Sequence, residues 1–279
     1  MHYYKKLFQL FVLLYSILSF AQSYKNDTLR GEFAYQFKGK FDTRTDNRHE
    51  ELFSLQISDN RAFFVSVISL EGDSVMANSG TSTNNSDGST TLGWKEGVVI
   101  PKTDLSFTII QSNENVQYFR LAGMSLLTYK EPTKKNWKLM DETKVINTIN
   151  CKKAEITSKG RNWIAWYSPE IPFPYGPYKF SGLPGLIIKI TDDKGDFDFE
   201  LVKSVPNSQL KGKLVNIKKS RYSDAIETTQ PKLKQAQRNA IAALASYGTT
   251  IIKGQEILRQ REKAIEENKK YENPIELED

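Results

Sequence analysis

The chain has 279 residues, 39 basic and 33 acidic side chains for a formal charge of +6, one cysteine and two histidines. A single cysteine excludes an intrachain disulfide, so a buried apolar core must hold the fold. Basic and acidic residues alternate, as in Arg44-Thr45-Asp46-Asn47-Arg48-His49-Glu50-Glu51, instead of forming the one-sided basic stripe of a nucleic-acid binder.

The chain opens with Lys5 and Lys6, continues through an apolar run over residues 7–20, and reaches a small residue at Ala21. That layout predicts a cleavable signal peptide over 1–21. The apolar run is roughly five residues short of a comfortable bilayer span. Position 22 is Gln, where a lipoprotein needs cysteine, so no stable membrane anchor is expected after cleavage. Removing 1–21 leaves 258 residues and 37 basic against 33 acidic side chains, a balance of +4. This length suffices for one large β domain or two small ones.

Strand-like periodicity then dominates, with runs at 32–37, 51–57, 62–70, 105–111, 116–121, 125–130, 144–150, 153–157, 162–168, 186–191, 197–202 and 211–217. Residues 77–91 are Ser, Thr, Asn and Gly with little to bury and are expected to form a mobile loop. Asp192-Asp193-Lys194-Gly195 reads as the turn of a hairpin joining 186–191 to 197–202, because Gly tolerates the positive φ such turns need. After Thr228 and Thr229, with Pro231 in the first turn, the period changes. Leu233, Ala236, Ala240, Ile241 and Leu244 fall on one helical face, predicting a helix over 229–247 that packs on the sheet. A charge-rich helical stretch over 255–270 ends before Pro274. The expected fold is mainly β (α+β): an antiparallel sheet, sandwich or half-barrel with a C-terminal helix packed on it. The expected layout is 22–228 as the β domain, 229–272 as the helical segment and 273–279 as a tail.

The densest unusual segment contains Trp163-Ile164-Ala165-Trp166-Tyr167, then Glu170-Ile171-Pro172, Gly176-Pro177 and Phe180-Ser181-Gly182-Leu183-Pro184-Gly185-Leu186-Ile187. Together with Cys151-Lys152-Lys153-Ala154 and the terminal Asn273-Pro274-Ile275-Glu276-Leu277, these residues resemble the GLPGLI family of exported bacterial envelope proteins. The resemblance implies an envelope location and a mainly β fold with some helix, and brings no established reaction, cofactor or catalytic residue. Physically, Pro184 fixes φ while Gly182 and Gly185 permit close backbone approaches, so the motif reads as a rigid connection delivering 186–188 into the sheet. The alternative is a ligand-contacting loop.

Catalytic readings are thin. His49, the one histidine left after signal removal, lies in a charged run and reads as solvated; Cys151 sits on a predicted strand as a small buried hydrophobe. The acids Asp192, Asp193, Asp196, Asp198 and Glu200 do not follow EF-hand spacing, and Asp198 and Glu200 alternate with Phe197, Phe199 and Leu201 as on a half-solvated strand. Glu155 and Glu170 are the nearest pair for glycoside hydrolysis, with nothing placing them opposite each other. Aromatic density is the remaining clue. Trp163 and Tyr167 share one side of a strand and Trp166 takes the other, and the rigid segment 171–178 suits the wall of a groove. Candidate ligand- or partner-binding residues are Trp163, Trp166, Tyr167, Tyr175, Tyr178 and Pro184; no catalytic residue, metal site or cofactor is expected. The leading expectation is a non-enzymatic binding protein in the periplasm or envelope of a Gram-negative bacterium, or outside the cell, receiving a hydrophobic ligand or an envelope protein. A hydrolase acting on envelope glycan or peptide and a structural component of an envelope complex are the alternatives.

Overall fold

The computed structural model describes residues 27–246, 263 and 267–278. The expected signal peptide at 1–21 and most of the expected helical run at 255–270 lie outside these residues.

Several strands alternate apolar and polar residues so that one face can be buried, and twelve strands assemble into one sheet. They are β1 (Gly31–Gly39), β2 (His49–Ile57), β3 (Ala62–Ser66), β6 (Thr108–Gln111), β7 (Asn115–Ala122), β8 (Ser125–Pro132), β9 (Lys138–Ile146), β10 (Ile149–Ser158), β11 (Arg161–Ser168), β12 (Leu186–Asp192), β13 (Phe197–Ser204) and β14 (Ile226–Glu227). Strands β4 (Gly80–Asn84) and β5 (Thr90–Trp94) form a separate hairpin. Helices among the described residues include α1 (Val67–Ser79), α2 (Asn207–Leu210) and α3 (Gln230–Ser246).

The spatial order is β14-β8-β7-β6-β3-β2-β1-β13-β12-β11-β10-β9. Two meanders therefore grow from a central β1, all antiparallel except the short parallel pairing of β14 with β8. A twisted sheet of this width must curl to bury its apolar face. Here Asn147, in the β9–β10 turn, donates from Nδ2 to the Leu201 carbonyl of β13 at 2.8 Å, so the edge hairpin folds back across three strands. The sheet does not close: β9 and β14 do not pair.

Its inner face carries an aromatic core, with Phe53 stacked on Phe64 at 4.8 Å and Phe37 against Phe199 at 4.6 Å. A second, smaller core lies on the other face, where Phe63, Val65, Ile110 and Phe119 meet Ile217 from the covering segment 205–228. That layer makes the domain sandwich-like and explains why all five residues of β3, Ala-Phe-Phe-Val-Ser, are buried.

Several sequence expectations change. The strand expected over 62–70 ends at Ser66, whose extended backbone and side-chain oxygen, accepting from the Ser69 amide at 3.3 Å, cap α1. The loop expected over 77–91 is the end of α1 followed by the β4–β5 hairpin. Its polar side chains knit the turn, Asn85 Nδ2 donating to Ser89 Oγ at 2.9 Å and Thr91 Oγ1 at 2.8 Å. The strand expected over 144–150 is broken by a two-residue turn, because Asn147 and Thr148 both take positive φ, 48° and 67°, as the twist of a tight hairpin requires. The strand expected over 211–217 makes one bridge, Thr28 to Leu214, and serves as cover. The 186–191/197–202 hairpin forms as expected, with Gly195 at φ 67°. Helix α3 lies across β7 and β8 and buries Leu233, while Ile241, on the expected packing stripe, is 63% exposed.

Candidate functional site

Seventeen residues, 169–185, separate the neighbouring strands β11 and β12. Such a connection is too long for a hairpin turn and must find its own packing. It folds onto the sheet, with the Leu186 amide donating to the Ile171 carbonyl at 2.9 Å and the Ile187 amide to the Tyr175 carbonyl at 3.1 Å. Gln111, at the end of β6 and fully buried, clamps it: Nε2 donates to the carbonyls of Gly176 (2.7 Å) and Tyr178 (2.6 Å), and Oε1 accepts from the Gly176 amide at 3.3 Å. Tyr178, at φ 53°, stacks over Phe199 at 6.2 Å, and Phe180 packs on Trp163 at 4.6 Å. The motif loop thus plugs the concave side of the sheet.

Both motif glycines are demanded by this packing. A Cβ on Gly182 would meet the Lys134 carbonyl, and one on Gly185, at φ +150°, would lie 2.7 Å from the Ser168 carbonyl carbon and nearer still to its oxygen.

Between Tyr178 and Phe180 sits Lys179, its side chain only 2% exposed. Its ammonium lies 2.7 Å from Tyr129 Oη, 2.6 Å from Glu276 Oε1 and 3.2 Å from Glu131 Oε1, and within 5.6 Å of the ring centroids of Tyr118, Tyr129 and Tyr178. A buried cation needs such partners, since the desolvation penalty is several kcal/mol. Burial pushes the Tyr178 hydroxyl well above the ordinary tyrosine range. Burial raises the Glu131 carboxyl too, but Lys179, Lys159 and Lys134 outweigh it and hold the group below the usual carboxylate range.

Glu276 belongs to the C-terminal segment, expected as a tail and found stitched into the domain. Asn273 donates from Nδ2 to the Lys40 carbonyl (2.6 Å) and to Asp196 (3.0 Å), and its Oδ1 accepts from Arg161. Arg161, itself buried, also reaches Asp192 at 2.9 Å and the Pro274 carbonyl at 2.8 Å.

A pocket lies at the mouth of the sheet, between the plug, the C-terminal segment and α3. Its volume is about 210 Å³. Phe41, Leu105, Phe107, Tyr118, Tyr129, Tyr178, Leu233, Pro274 and Ile275 form an aromatic and aliphatic wall, and Arg120, Gln230, Lys234, Gln237 and Glu276 supply the polar groups. A larger groove of about 580 Å³ lies along the edge hairpin, lined by Val145, Asn150, Cys151 and Glu170 among others. The Cys151 thiol there is buried and pushed up to about 11 by desolvation.

Of the six residues singled out from sequence, Tyr178 lines the mouth pocket. Trp163, Tyr167 and Tyr175 are buried in the core, with Trp163 also reaching the lining of an open groove of about 540 Å³ beside Glu155, Asn162 and Asp193; Trp166 is partly buried beneath Lys144, and Pro184 is exposed at the surface. Phe41, Phe107, Tyr118, Arg120, Tyr129 and Lys179 were not singled out. Lys179 had a signal, a lysine inside an aromatic run; the others come from strands and loops far apart in sequence.

Each acid singled out from sequence that bears a functional reading is tied to a cation or an amide. Glu155 pairs with Lys153 at 2.9 Å, Glu170 accepts from Asn150 at 2.9 Å, and Asp192 pairs with Arg161. Asp198 and Glu200 share Lys189, at 3.2 and 2.5 Å; burial raises Asp198, whereas the hydrogen bond from Lys189 lowers Glu200. His49 sits at the rim, its Nε2 2.7 Å from the buried carboxylate of Glu51, which also accepts from Ser66 Oγ and from Thr103 Oγ1 at 2.6 Å. Both hydroxyls donate to the carboxylate, and Ser66 and Glu51 are buried, so this hydrogen-bonded group is packed into the fold and does not face solvent.

The architecture is thus a curled, open, mainly antiparallel sheet plugged by its own loop, with a small mouth pocket. Residues 131–189, spanning β9 to β12 and the plug, match the model of a family described as a protein of unknown function (Porph_ging). This stretch contains the Gly182-to-Ile187 run, and the matched family carries a name different from GLPGLI. No curated protein matches the chain. Two solved structures of PNGF-II, in C2 and P21 space groups, are similar at 12% and 13% identity, each with a TM-score of 0.49. They cover 75% of this chain, which spans about a third of their length, 33% and 34%.

Proposed function

We propose that the protein is a non-enzymatic binding protein of the bacterial envelope that receives one apolar group, about the size of a single ring, in its mouth pocket. The observation that carries this reading is the plug. With the concave side filled by Tyr178, Phe180 and Leu183, the space left is about 210 Å³. An apolar cavity of about 150 Å³ suffices for benzene, and pockets for drug-sized ligands begin near 300 Å³. That volume suits a short ligand or a single anchor side chain of a partner protein better than a whole acyl chain. The envelope location rests on the signal-peptide pattern of the first twenty-one residues and on the family resemblance.

A hydrolase reading needs two carboxylates facing each other across a cleft, one with a raised pKa. Asp198 has the raised pKa, but Lys189 lies between it and Glu200, and neither lines the pocket. This weighs against hydrolysis.

The test is an aromatic-region NMR titration of the mature chain with benzene, alongside native mass spectrometry of protein taken from its own envelope. Saturable shifts of the Tyr118 and Tyr178 rings, lost in Leu105→Trp, which fills the pocket from its rim, are expected. Absence of saturable shifts together with a bare mass would sink the proposal.

A further inference from the structure

Strand β7 turns Val116 and Tyr118 into the core, and the two-residue period of the strand places Arg120 next on the same face, at the mouth. An arginine there is costly unless something meets it. Its Nη2 donates to the Asp104 carbonyl at 2.8 Å, and its charge acts on the neighbouring Tyr118 hydroxyl. Among the described residues no carboxylate lies within ion-pair distance of it. Among the described residues, the other partly or fully buried arginines all have one: Arg61 with Asp27, Arg161 with Asp192, Arg221 with Asp73. Glu276 shares the pocket wall, but its oxygens are engaged by Lys179, Tyr178 and Gln230. Lys234, one turn along α3 from Gln230, adds a second cation to the lining. The pocket therefore has an aromatic wall and a cationic rim whose guanidinium still has unspent donors in a fork that matches a carboxylate.

Resting on the binding reading above, we infer that the group received is a carboxylate carried on an apolar body of about one ring: the body against Phe107 and Tyr118, the carboxylate at Arg120. A free carboxylic acid and the C-terminal residue of a polypeptide share this chemistry.

The experiment is isothermal titration of the full mature chain with phenylacetate and with its neutral isostere phenylacetamide, in wild type, Arg120→Gln and Arg120→Lys. A charge-assisted hydrogen bond in a half-buried site predicts an acid-over-amide preference of about tenfold or more in wild type. It should vanish in Arg120→Gln with amide binding kept, and recover in part in Arg120→Lys. Should Arg120→Gln fail to fold, salt dependence in wild type replaces it: acid affinity falls as ionic strength rises, and amide affinity does not. Equal binding of acid and amide overturns the inference and leaves the pocket reading standing; binding of neither removes both. A parallel arm compares acetyl-Gly-Gly-Phe with its C-terminal amide. Tighter, carboxylate-dependent binding of the peptide than of phenylacetate identifies a chain terminus as the source, and exclusion of the peptide identifies a free acid.

Discussion

Gly185→Ala tests whether the motif is architecture. The glycine has φ +150°, which side-chain-bearing residues rarely adopt, and the added Cβ would meet the Ser168 carbonyl and, at 3.0 Å, Pro169 Cα. All of these neighbours are backbone, held by β11 and by the clamp on the loop, so no side chain can swing away. Backbone strain of this kind costs about 1–3 kcal/mol, and overpacking a tight site about 1–3 kcal/mol more. The sum, roughly 2–6 kcal/mol, is a large share of the 5–15 kcal/mol typical of a domain. At about 2–4 °C per kcal/mol for a chain of this size, the melting temperature should fall by roughly 4–24 °C. Gly195→Ala is the comparison: φ is +67°, and its Cβ would meet nothing within 4 Å, so the cost reduces to the left-handed penalty of about 1–2 kcal/mol. Thermal and urea unfolding, followed by tryptophan fluorescence, measure both. If Gly185→Ala loses no more stability than Gly195→Ala, the packed-plug reasoning is wrong.

Lys179→Met strips two carboxylates of their buried cation and should cost about 3–5 kcal/mol, part of it recovered by adding Glu276→Gln; a loss under 1 kcal/mol in urea unfolding would contradict the cage. Arg161→Lys keeps the charge but cannot reach Asp192, Asn273 and the Pro274 carbonyl together, so limited proteolysis should release the C-terminal segment faster than in wild type. Equal cleavage rates would mean that the segment is held by other contacts. Burial raises the folded Cys151 thiol from 9.0 to about 11, so the folded state favours the protonated form. That contribution to stability is intact below pH 9 and is lost as pH rises toward 11. Disulfide-reagent labelling of the native protein at pH 8 should be slow and should accelerate on unfolding; rapid native labelling would refute the burial.

Strands whose alternation is clean, such as Glu32 to Phe37 or Phe197 to Leu201, could be read directly, because a half-buried strand writes its orientation in every second residue. The same local logic exposed the Asp192-to-Gly195 turn and the start of α3 after Thr229. It failed where burial or shape came from distant chain. Ala62 to Leu70 looked like one apolar strand because segment 205–228 covers the outer face of β3, hiding the switch to helix at Ser66. Asn147-Thr148 lacks the glycine that usually marks a two-residue turn. The aromatic density around Trp163 and Tyr178 was visible, but whether those rings line a groove or fill a core depends on the curl of the sheet, and most fill the core. The pocket was not legible at all: Phe41, Phe107, Arg120, Leu233 and Ile275 carry no mutual spacing signal, and only the curl of the open twelve-stranded sheet around residues 169–185 brings them together. Local propensity and periodicity determined most strands of the sheet, one hairpin and a helix. The plug, the Lys179 cage and the mouth pocket were decided by tertiary packing, since each depends on which distant backbone a side chain meets once the sheet has curled.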